Sequence, residues 1–207
     1  MNQSCLICGG TGTDAFMRPC PNCFKEKIKI VKDLYGVPVQ YQNVAYDKSF
    51  LPEKEQKTYG KYMEDLLNEI LTNYAFFQKN ILICSRPNSG KTVWSYHLYS
   101  ALSDKGYTIP KLRDILEVRD IMSSYKNVDE AELYSKARCA IIKIPRDCPP
   151  WLFDSVSSII ERRVRNNGFT IFLFGGSLDE LKQLDRYEKM KYIMGSGAYN
   201  TIEIKSF

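Results

Sequence analysis

Three runs of apolar residues, each bounded by polar residues, mark the middle and the end of the chain. They lie in the stretches KNILICS, RCAIIKIP and FTIFLFGG. Nearly continuous apolar runs of this length are typical of strands that are buried on both faces of a parallel sheet. A last stretch, YNTIEIK, predicts one more strand near the C-terminus.

Helical patterns alternate with these strands. Apolar positions recur at helical spacing over residues 53–74, in KTVWSYHLYSALSDKG after the first strand, and in WLFDSVSSIIERRVRNNG between the next two. Alternating helices and buried strands predict an α/β fold, with helices on both faces of a mostly parallel sheet in three layers. The aromatic stretch VPVQYQNVAYDKSF predicts an extended connector that packs on this domain.

The stretch SRPNSGKT, residues 85–92, joins the first strand to its helix. This setting is the one a phosphate-binding loop (P-loop) requires, although Ser85 replaces the first glycine of the usual motif. Backbone N–H groups at the helix start would face a phosphate, Lys91 would reach the β- and γ-phosphates, and the Thr92 hydroxyl would hold Mg²⁺. The expected ligands of the nucleotide are Asn88, Ser89, Gly90, Lys91 and Thr92. The alternative is a chance Ser-Gly-Lys-Thr at a helix start.

Hydrolysis normally needs an acidic residue at the end of a neighbouring strand. The candidate strand instead carries Lys143, Ile144 and Pro145 at that place, and the nearest carboxylate is Asp147, beyond the proline. A solvated loop aspartate is the simpler interpretation of Asp147. The sequence therefore predicts binding of ATP or ADP with very slow or absent hydrolysis.

Four cysteines form two Cys-x-x-Cys pairs near the N-terminus, and they are Cys5, Cys8, Cys20 and Cys23. Two such pairs supply the four thiolates of a tetrahedral structural zinc site, with the spacing of a zinc ribbon. An iron–sulfur cluster or four unrelated thiols are the alternatives. Residues 1–36 are expected to form this zinc module with a following helix, and residues 37–207 the α/β domain.

Composition narrows the remaining possibilities. Hydrophobic residues make up 44% and charged residues 26% of the 207, a globular balance, and the net charge of +5 mildly favours an anionic partner. No apolar run approaches the 18 or so residues of a membrane span, and the N-terminal segment is too polar for a signal peptide. A cytoplasmic protein without membrane contact is expected, whose seven cysteines are thiols or metal ligands.

Several stretches, in order, resemble the DnaC/DnaI-type replicative helicase loaders and their phage relatives, a branch of the AAA+ ATPases. They are the cysteine pairs with GGTG and RPCPNC, the connector YGVPVQYQNVAYDKSF, the loop SRPNSGKT, and SSIIERRVRNNGFTIFLFGGSLDEL. The resemblance implies an AAA+ domain that binds nucleotide and single-stranded DNA, a zinc module that binds a hexameric replicative helicase, and possible assembly into a ring or spiral.

The same resemblance implies that Arg163 is an arginine finger, which would reach the nucleotide of a neighbouring subunit. For Arg162 and Arg163, DNA contact or a solvated basic helix end are the alternatives. The chain departs from the family where Gly175 and Gly176 follow the sensor strand in place of a polar residue, and where Lys191 is the basic residue nearest to the missing sensor arginine.

Two other functions remain open at this stage. The first is an adaptor that uses the AAA+ shape only as a protein-binding surface. The second is a transposition regulator of the related IstB type, which would bind double-stranded DNA and a transposase.

Overall fold

The structure is a computed structural model, and it describes residues 37–41, 44–105, 107, 109–149, 151–182 and 202–205. The four cysteines of the predicted zinc site and the helix expected after them lie outside these residues. The division into residues 1–36 and 37–207 therefore stays a prediction. Within the described part, no helix has the length and apolar character needed to cross a membrane.

Helices of the described chain flank a central sheet. They are α1 (Glu53–Glu55), α2 (Lys61–Asn73), α3 (Lys91–Asp104), α4 (Ile115–Ser123), α5 (Val128–Lys136), α6 (Leu152–Arg165) and α7 (Leu178–Lys182). A π-helical turn, Gln56–Gly60, joins α1 to α2, so the helix predicted over residues 53–74 is confirmed with one irregular turn. Its residues Met63, Leu66, Leu67 and Ile70 are buried, as the periodicity predicts.

The sheet has five strands, β1 (Ile81–Cys84), β2 (Arg113–Asp114), β3 (Cys139–Ile144), β4 (Phe169–Phe174) and β5 (Ile202–Lys205). Their order across the sheet is β2-β3-β4-β1-β5, and every neighbouring pair is parallel. The four strands predicted from the sequence are confirmed, while the two-residue β2 is too short to give an apolar signal.

Two apolar clusters cover the two faces of the sheet, as a three-layer fold requires. Alternate residues of β3 divide between them: Ile141 packs with Trp94 and Leu98 of α3, whereas Ile142 packs with Val156 of α6. This period of two places neighbouring strand residues on opposite faces. The nearly continuous apolar runs follow directly, because both faces are buried.

The connector before α1 packs on the domain, as predicted, but it is not extended throughout. Two 3₁₀ turns interrupt it, Val39–Tyr41 and Lys48–Phe50, and Asp47 caps the second by accepting a hydrogen bond from the Ser49 backbone N–H. Tyr46 is buried in the α3-side cluster, and its backbone N–H donates to Nδ1 of His97 at 2.9 Å. The connector is therefore fixed to α3 close to the phosphate loop.

Candidate functional site

The predicted phosphate loop lies at the carboxyl edge of the sheet, between the end of β1 and the start of α3. In open α/β sheets this edge is where ligands bind, because the strand ends and helix N-termini converge there. Residues 85–90 form the turn, and α3 begins at Lys91. The strand–loop–helix setting predicted from the sequence is thus confirmed.

Two residues give the loop its curvature. Asn88 has φ of 61° and Gly90 has φ of 81°, and both values lie in the left-handed region. Ser85 does not have a positive φ. Serine in place of the first glycine therefore does not strain the backbone. Two features exclude a side chain at position 90. The positive φ disfavours residues other than glycine, and a Cβ there would come within 2.3 Å of the Phe50 ring.

Lys91 turns back into the loop. Its Nζ donates to the carbonyl oxygen of Ser85 at 2.6 Å, to the Ser85 hydroxyl at 2.6 Å and to the carbonyl oxygen of Arg86 at 2.9 Å. The Ser85 and Ser89 hydroxyls are 2.6 Å apart and both residues are buried. Burial lowers the pKa of the Lys91 ammonium to about 8. Ser85 thus supplies a hydroxyl that holds the lysine, a role a glycine could not fill.

The helical segment before the sheet supports the loop from behind. The Tyr59 hydroxyl lies 3.4 Å from the Ser85 hydroxyl, and Nη2 of Arg86 lies 2.8 Å from Oε1 of Glu55. Glu55 is 7% exposed, so this ion pair is more shielded from solvent than a surface pair. Sequence reasoning did not identify Tyr59 or Glu55 as loop contacts, because both precede the loop by more than 25 residues.

A cleft of about 330 Å³ opens beside the loop along the ends of β2, β3 and β4. The side chains and backbone that matter for its chemistry are Lys91, Thr92, Asp114, Lys143, Pro145 and Gly175. Two lysines and one aspartate leave the cleft with a positive balance. An anion with several charges, such as a polyphosphate, suits this balance.

Asp114 is the carboxylate of the cleft, and the sequence analysis did not identify it. It ends β2, where its Cα pairs with that of Lys143. Its Oδ1 accepts the Glu117 backbone N–H at 3.0 Å and forms a capping box at the start of α4. The Asp-x-x-Glu spacing signals a helix start in the sequence, but only the strand pairing brings Asp114 to the cleft.

Asp147, the carboxylate that the sequence placed nearest to the missing acid, is exposed in the turn after β3. It is not one of the residues that line the cleft. Its charge instead contributes to raising the pKa of the neighbouring Cys148 thiol to about 11, an effect due mainly to burial. The reading of Asp147 as a loop carboxylate agrees with this placement.

Arg163 is fully buried, which does not fit an arginine finger. Its Nε donates to Oγ1 of Thr170 at 2.8 Å, and its Nη2 donates to the carbonyl oxygens of Ala137 and Phe169 at 2.9 and 2.7 Å. Its Nη1 donates to the carbonyl oxygen of Tyr134. All three guanidinium nitrogens are thus used inside the subunit, at the opposite edge of the sheet.

The position of Arg163 has a local electrostatic reason. Two of its acceptors lie at the C-terminal end of α5, where the helix dipole favours a positive charge. Arg162 and Arg165, by contrast, are exposed on α6, and Arg165 lies 3.8 Å from Glu161. Any contact of this basic helix end with DNA or another subunit therefore falls to Arg162 and Arg165.

The residues fit a nucleotide better than they fit Mg²⁺. Gly90, Lys91 and Thr92 keep the glycine, cation and hydroxyl that a phosphate-binding loop uses. For the metal, the Thr92 hydroxyl is in place, but β3, which is separated from β1 by β4, presents Lys143 to the cleft rather than a carboxylate. Within the described ranges, no group of three His, Cys, Asp or Glu residues could hold a metal ion.

Comparison with known proteins finds similar solved structures at low sequence identity. No protein-family model matches the sequence, and no curated protein does. A DnaI crystal structure matches with a TM-score of 0.56 and 15% identity, covering 83% of this chain and 93% of the other. A DnaC helicase loader matches with a TM-score of 0.57 and 18% identity, covering 81% and 100%.

A nucleotide-bound structure is also similar in fold. The AMPPCP-bound DnaA of Aquifex aeolicus matches with a TM-score of 0.52 and 11% identity, covering 80% of this chain and 51% of the other. At such identities the likeness concerns the fold alone. The described part of the chain therefore shares its parallel, three-layer α/β fold with the DnaI and DnaC structures, as the sequence predicted.

Proposed function

We propose that this protein acts in DNA replication as a helicase-loader-like protein that binds ATP or ADP at the loop 85–92 and hydrolyses it very slowly or not at all. The observation that carries the proposal is the phosphate loop itself. Its left-handed Gly90, its lysine and its threonine lie at the carboxyl edge of a sheet shared with helicase loaders and with a nucleotide-bound initiator. This chain shares the fold of those proteins, and we propose that it also shares their function.

Slow turnover follows from the second half of the site. Phosphoryl transfer depends almost entirely on positioning and on charge stabilisation. Lys143 stands at the strand end where an acid is needed, Gly175 follows the sensor strand, and Arg163 is committed to the interior. Losing one well-placed electrostatic group commonly costs about a hundredfold in rate. Phosphate release measured with a helicase and single-stranded DNA present is expected to stay near background.

The partner is proposed to be a hexameric replicative helicase, bound through residues 1–36. A segment this short holds no catalytic site, while a zinc ion held by Cys5, Cys8, Cys20 and Cys23 would make it a rigid docking element. The experiment is capture of a purified hexameric helicase by the full chain and by its Cys20→Ser variant. Capture by the full chain alone is expected, and equal capture by both would contradict the assignment.

The zinc site has its own measurement. Elemental analysis of protein purified without chelators is expected to give one zinc per chain, and Cys20→Ser is expected to lose it. The α/β domain should keep its unfolding transition in this variant, because the two apolar clusters found among the described residues are built from residues 37–181. Ser4→Ala, in the same segment, is the control and should retain the metal. Absence of stoichiometric metal in the parent protein would refute the site.

Single-stranded DNA is the proposed nucleic-acid ligand, with Arg162 and Arg165 as candidate contacts on α6. Their exposure is what supports them, since a buried arginine cannot meet a phosphate. Affinity should fall steeply with salt, because each lysine or arginine contact releases counterions from the DNA. Replacing both arginines by glutamine should lower both the affinity and the salt slope, whereas an unchanged slope would point to another surface or to contact between subunits.

One observation favours the adaptor as a second candidate. The Lys91 ammonium is already bound by oxygens of Ser85, Arg86 and Ser89, so the loop is internally satisfied without a phosphate. An adaptor of this kind would capture the helicase and bind no nucleotide. A transposition regulator would capture a transposase and double-stranded DNA instead. Capture assays with helicase and transposase, together with calorimetric titration of ATP, separate the three.

A further inference from the structure

The cleft beside the phosphate loop contains a second lysine that the loop motif does not account for. Lys143 is the fifth residue of β3 and lies between Asp114 of β2 and Leu173 of β4 in the sheet. Lys91 reaches the same cleft from the start of α3. Two cations from separate elements therefore meet at one site.

Strand periodicity explains why Lys143 lies on the loop side of the sheet. Cys139 and Ile141 pack in the cluster that contains Trp94 and Leu98 of α3. Side chains two residues apart share a face, so Lys143 continues this row beyond the end of the apolar cluster. It is half-buried, whereas its neighbours Ile142 and Ile144 are buried on the opposite face.

No acidic partner among the described residues neutralises Lys143. The carboxylate nearest in the sheet is Asp114, which is engaged by the Glu117 backbone N–H at 3.0 Å in the capping box. Arg113, beside it, is paired with Glu130 at 2.8 Å. The local ion pairs and caps are thus complete without Lys143, and its charge is available to an anion in the cleft.

The place that Lys143 occupies is the place where a carboxylate would be needed to hold Mg²⁺. A lysine there repels a metal ion, but it neutralises phosphate oxygens as the metal would, because an ammonium is a compact point charge with three donors. We propose that Lys143 binds the terminal phosphates of ATP directly, and that this site therefore takes the free polyphosphate rather than its Mg²⁺ complex. The proposal rests on the proposed nucleotide binding and specifies its chemistry.

The experiment is calorimetric titration of the full chain with ATP in EDTA and in millimolar Mg²⁺. The dissociation constant for ATP in EDTA should be no larger than the dissociation constant in Mg²⁺. Lys143→Gln should weaken binding in EDTA about tenfold, since a hydrogen-bonded charge is lost. Lys143→Arg should retain binding in EDTA, because the charge is kept. Lys143→Asp should weaken binding in EDTA further and make the remaining affinity depend on Mg²⁺. Lys126→Gln, on an exposed turn away from the cleft, should change nothing.

Each result has one meaning. Binding by the parent protein only in Mg²⁺, or unchanged binding by a folded Lys143→Gln variant, overturns the role of Lys143 while the nucleotide site stands. If the parent protein binds ATP only in Mg²⁺ and Asp114→Asn, which keeps a capping side chain, loses that binding, then Asp114 holds the metal ion and the proposal fails. No binding in either buffer removes the nucleotide site itself. Thermal unfolding of each variant checks its fold, and Lys143→Arg tests the charge should Lys143→Gln not fold.

Discussion

The two edges of the sheet use the same kind of residue for opposite purposes. At the carboxyl edge, Lys91 and Lys143 reach into an open cleft with more positive than negative charge. At the amino edge, Arg163 is fully buried and hydrogen-bonded to oxygens of two segments, the C-terminal end of α5 and the start of β4, while Asn80 accepts the Thr170 backbone N–H at 2.9 Å. We propose that the lysines at the first edge bind an anion, whereas the arginine at the second donates to carbonyl oxygens inside the domain.

This difference teaches where to look for function in a chain with altered catalytic residues. At the carboxyl edge, Gly90, Lys91 and Thr92 match the residues that a phosphate-binding loop uses, whereas β3 carries Lys143 rather than a carboxylate at the cleft. The amino edge keeps a polar network whose only visible effect is structural. An arginine near the end of a helix can therefore be assigned as an arginine finger only after its burial is known.

The largest expected effect is at the carboxyl edge. Lys91→Ala should abolish measurable ATP binding, because the loss of a charge-assisted contact to the phosphates lowers the affinity by about a hundredfold or more. The thermal midpoint of unfolding should fall less than in Arg163→Met, because Lys91 is only half-buried, although its Nζ donates to oxygens of Ser85 and Arg86. Titration calorimetry measures the affinity, and Lys126→Ala is the matched control. Retained affinity in Lys91→Ala would remove the loop from the site.

At the amino edge the expectation reverses. Arg163→Met should lower the free energy of unfolding by about 3 kcal/mol or more, because four buried oxygens lose their donor. For a chain of this size, that corresponds to a drop of about 6–12 °C in the unfolding midpoint. Arg162→Met, one residue away and exposed, should lower it little. An Arg163 variant with normal stability but altered assembly would restore the arginine finger and break the comparison.

A smaller effect concerns the connector that packs beside the loop. His97, the single histidine, accepts the Tyr46 N–H through Nδ1, and burial lowers its pKa below the ordinary value. A lowered pKa means that stability is full above the unfolded-state value of about 6.5 and is lost as the pH falls through the folded-state value. Because the histidine is partly exposed, the midpoint should fall by only about 1–3 °C. The difference in unfolding midpoint between pH 7.5 and pH 5.5, measured by calorimetry, should be smaller in His97→Gln than in the parent protein.

The smallest effect is expected for Asp147→Asn. Asp147 lies outside the lining of the cleft, so ATP affinity and residual phosphate release should stay within about twofold of the parent protein. Asp114→Asn serves as the matched change inside the cleft. Robust turnover that depends on Asp147 would show that the turn after β3 closes on the nucleotide, and the contrast between the loop and the strand end would fail.

The sequence determined the parts of this protein that depend on local order. Apolar runs predicted β1, β3, β4 and β5, helical spacing predicted α2, α3 and α6, and the loop 85–92 was identified from its own residues. These features are encoded within short segments, since periodicity and loop chemistry need no distant partner.

The tertiary structure decided what depends on strands and helices meeting. The order of the strands brings Asp114 and Lys143 side by side, although 29 positions separate them in the sequence. The packing of α6 on α5 turns Arg163 inward and leaves Arg162 outward, although the two are adjacent in sequence. A charged side chain looks the same in the sequence whether it faces solvent, a ligand or the core, and only the surrounding backbone oxygens and charges distinguish these cases.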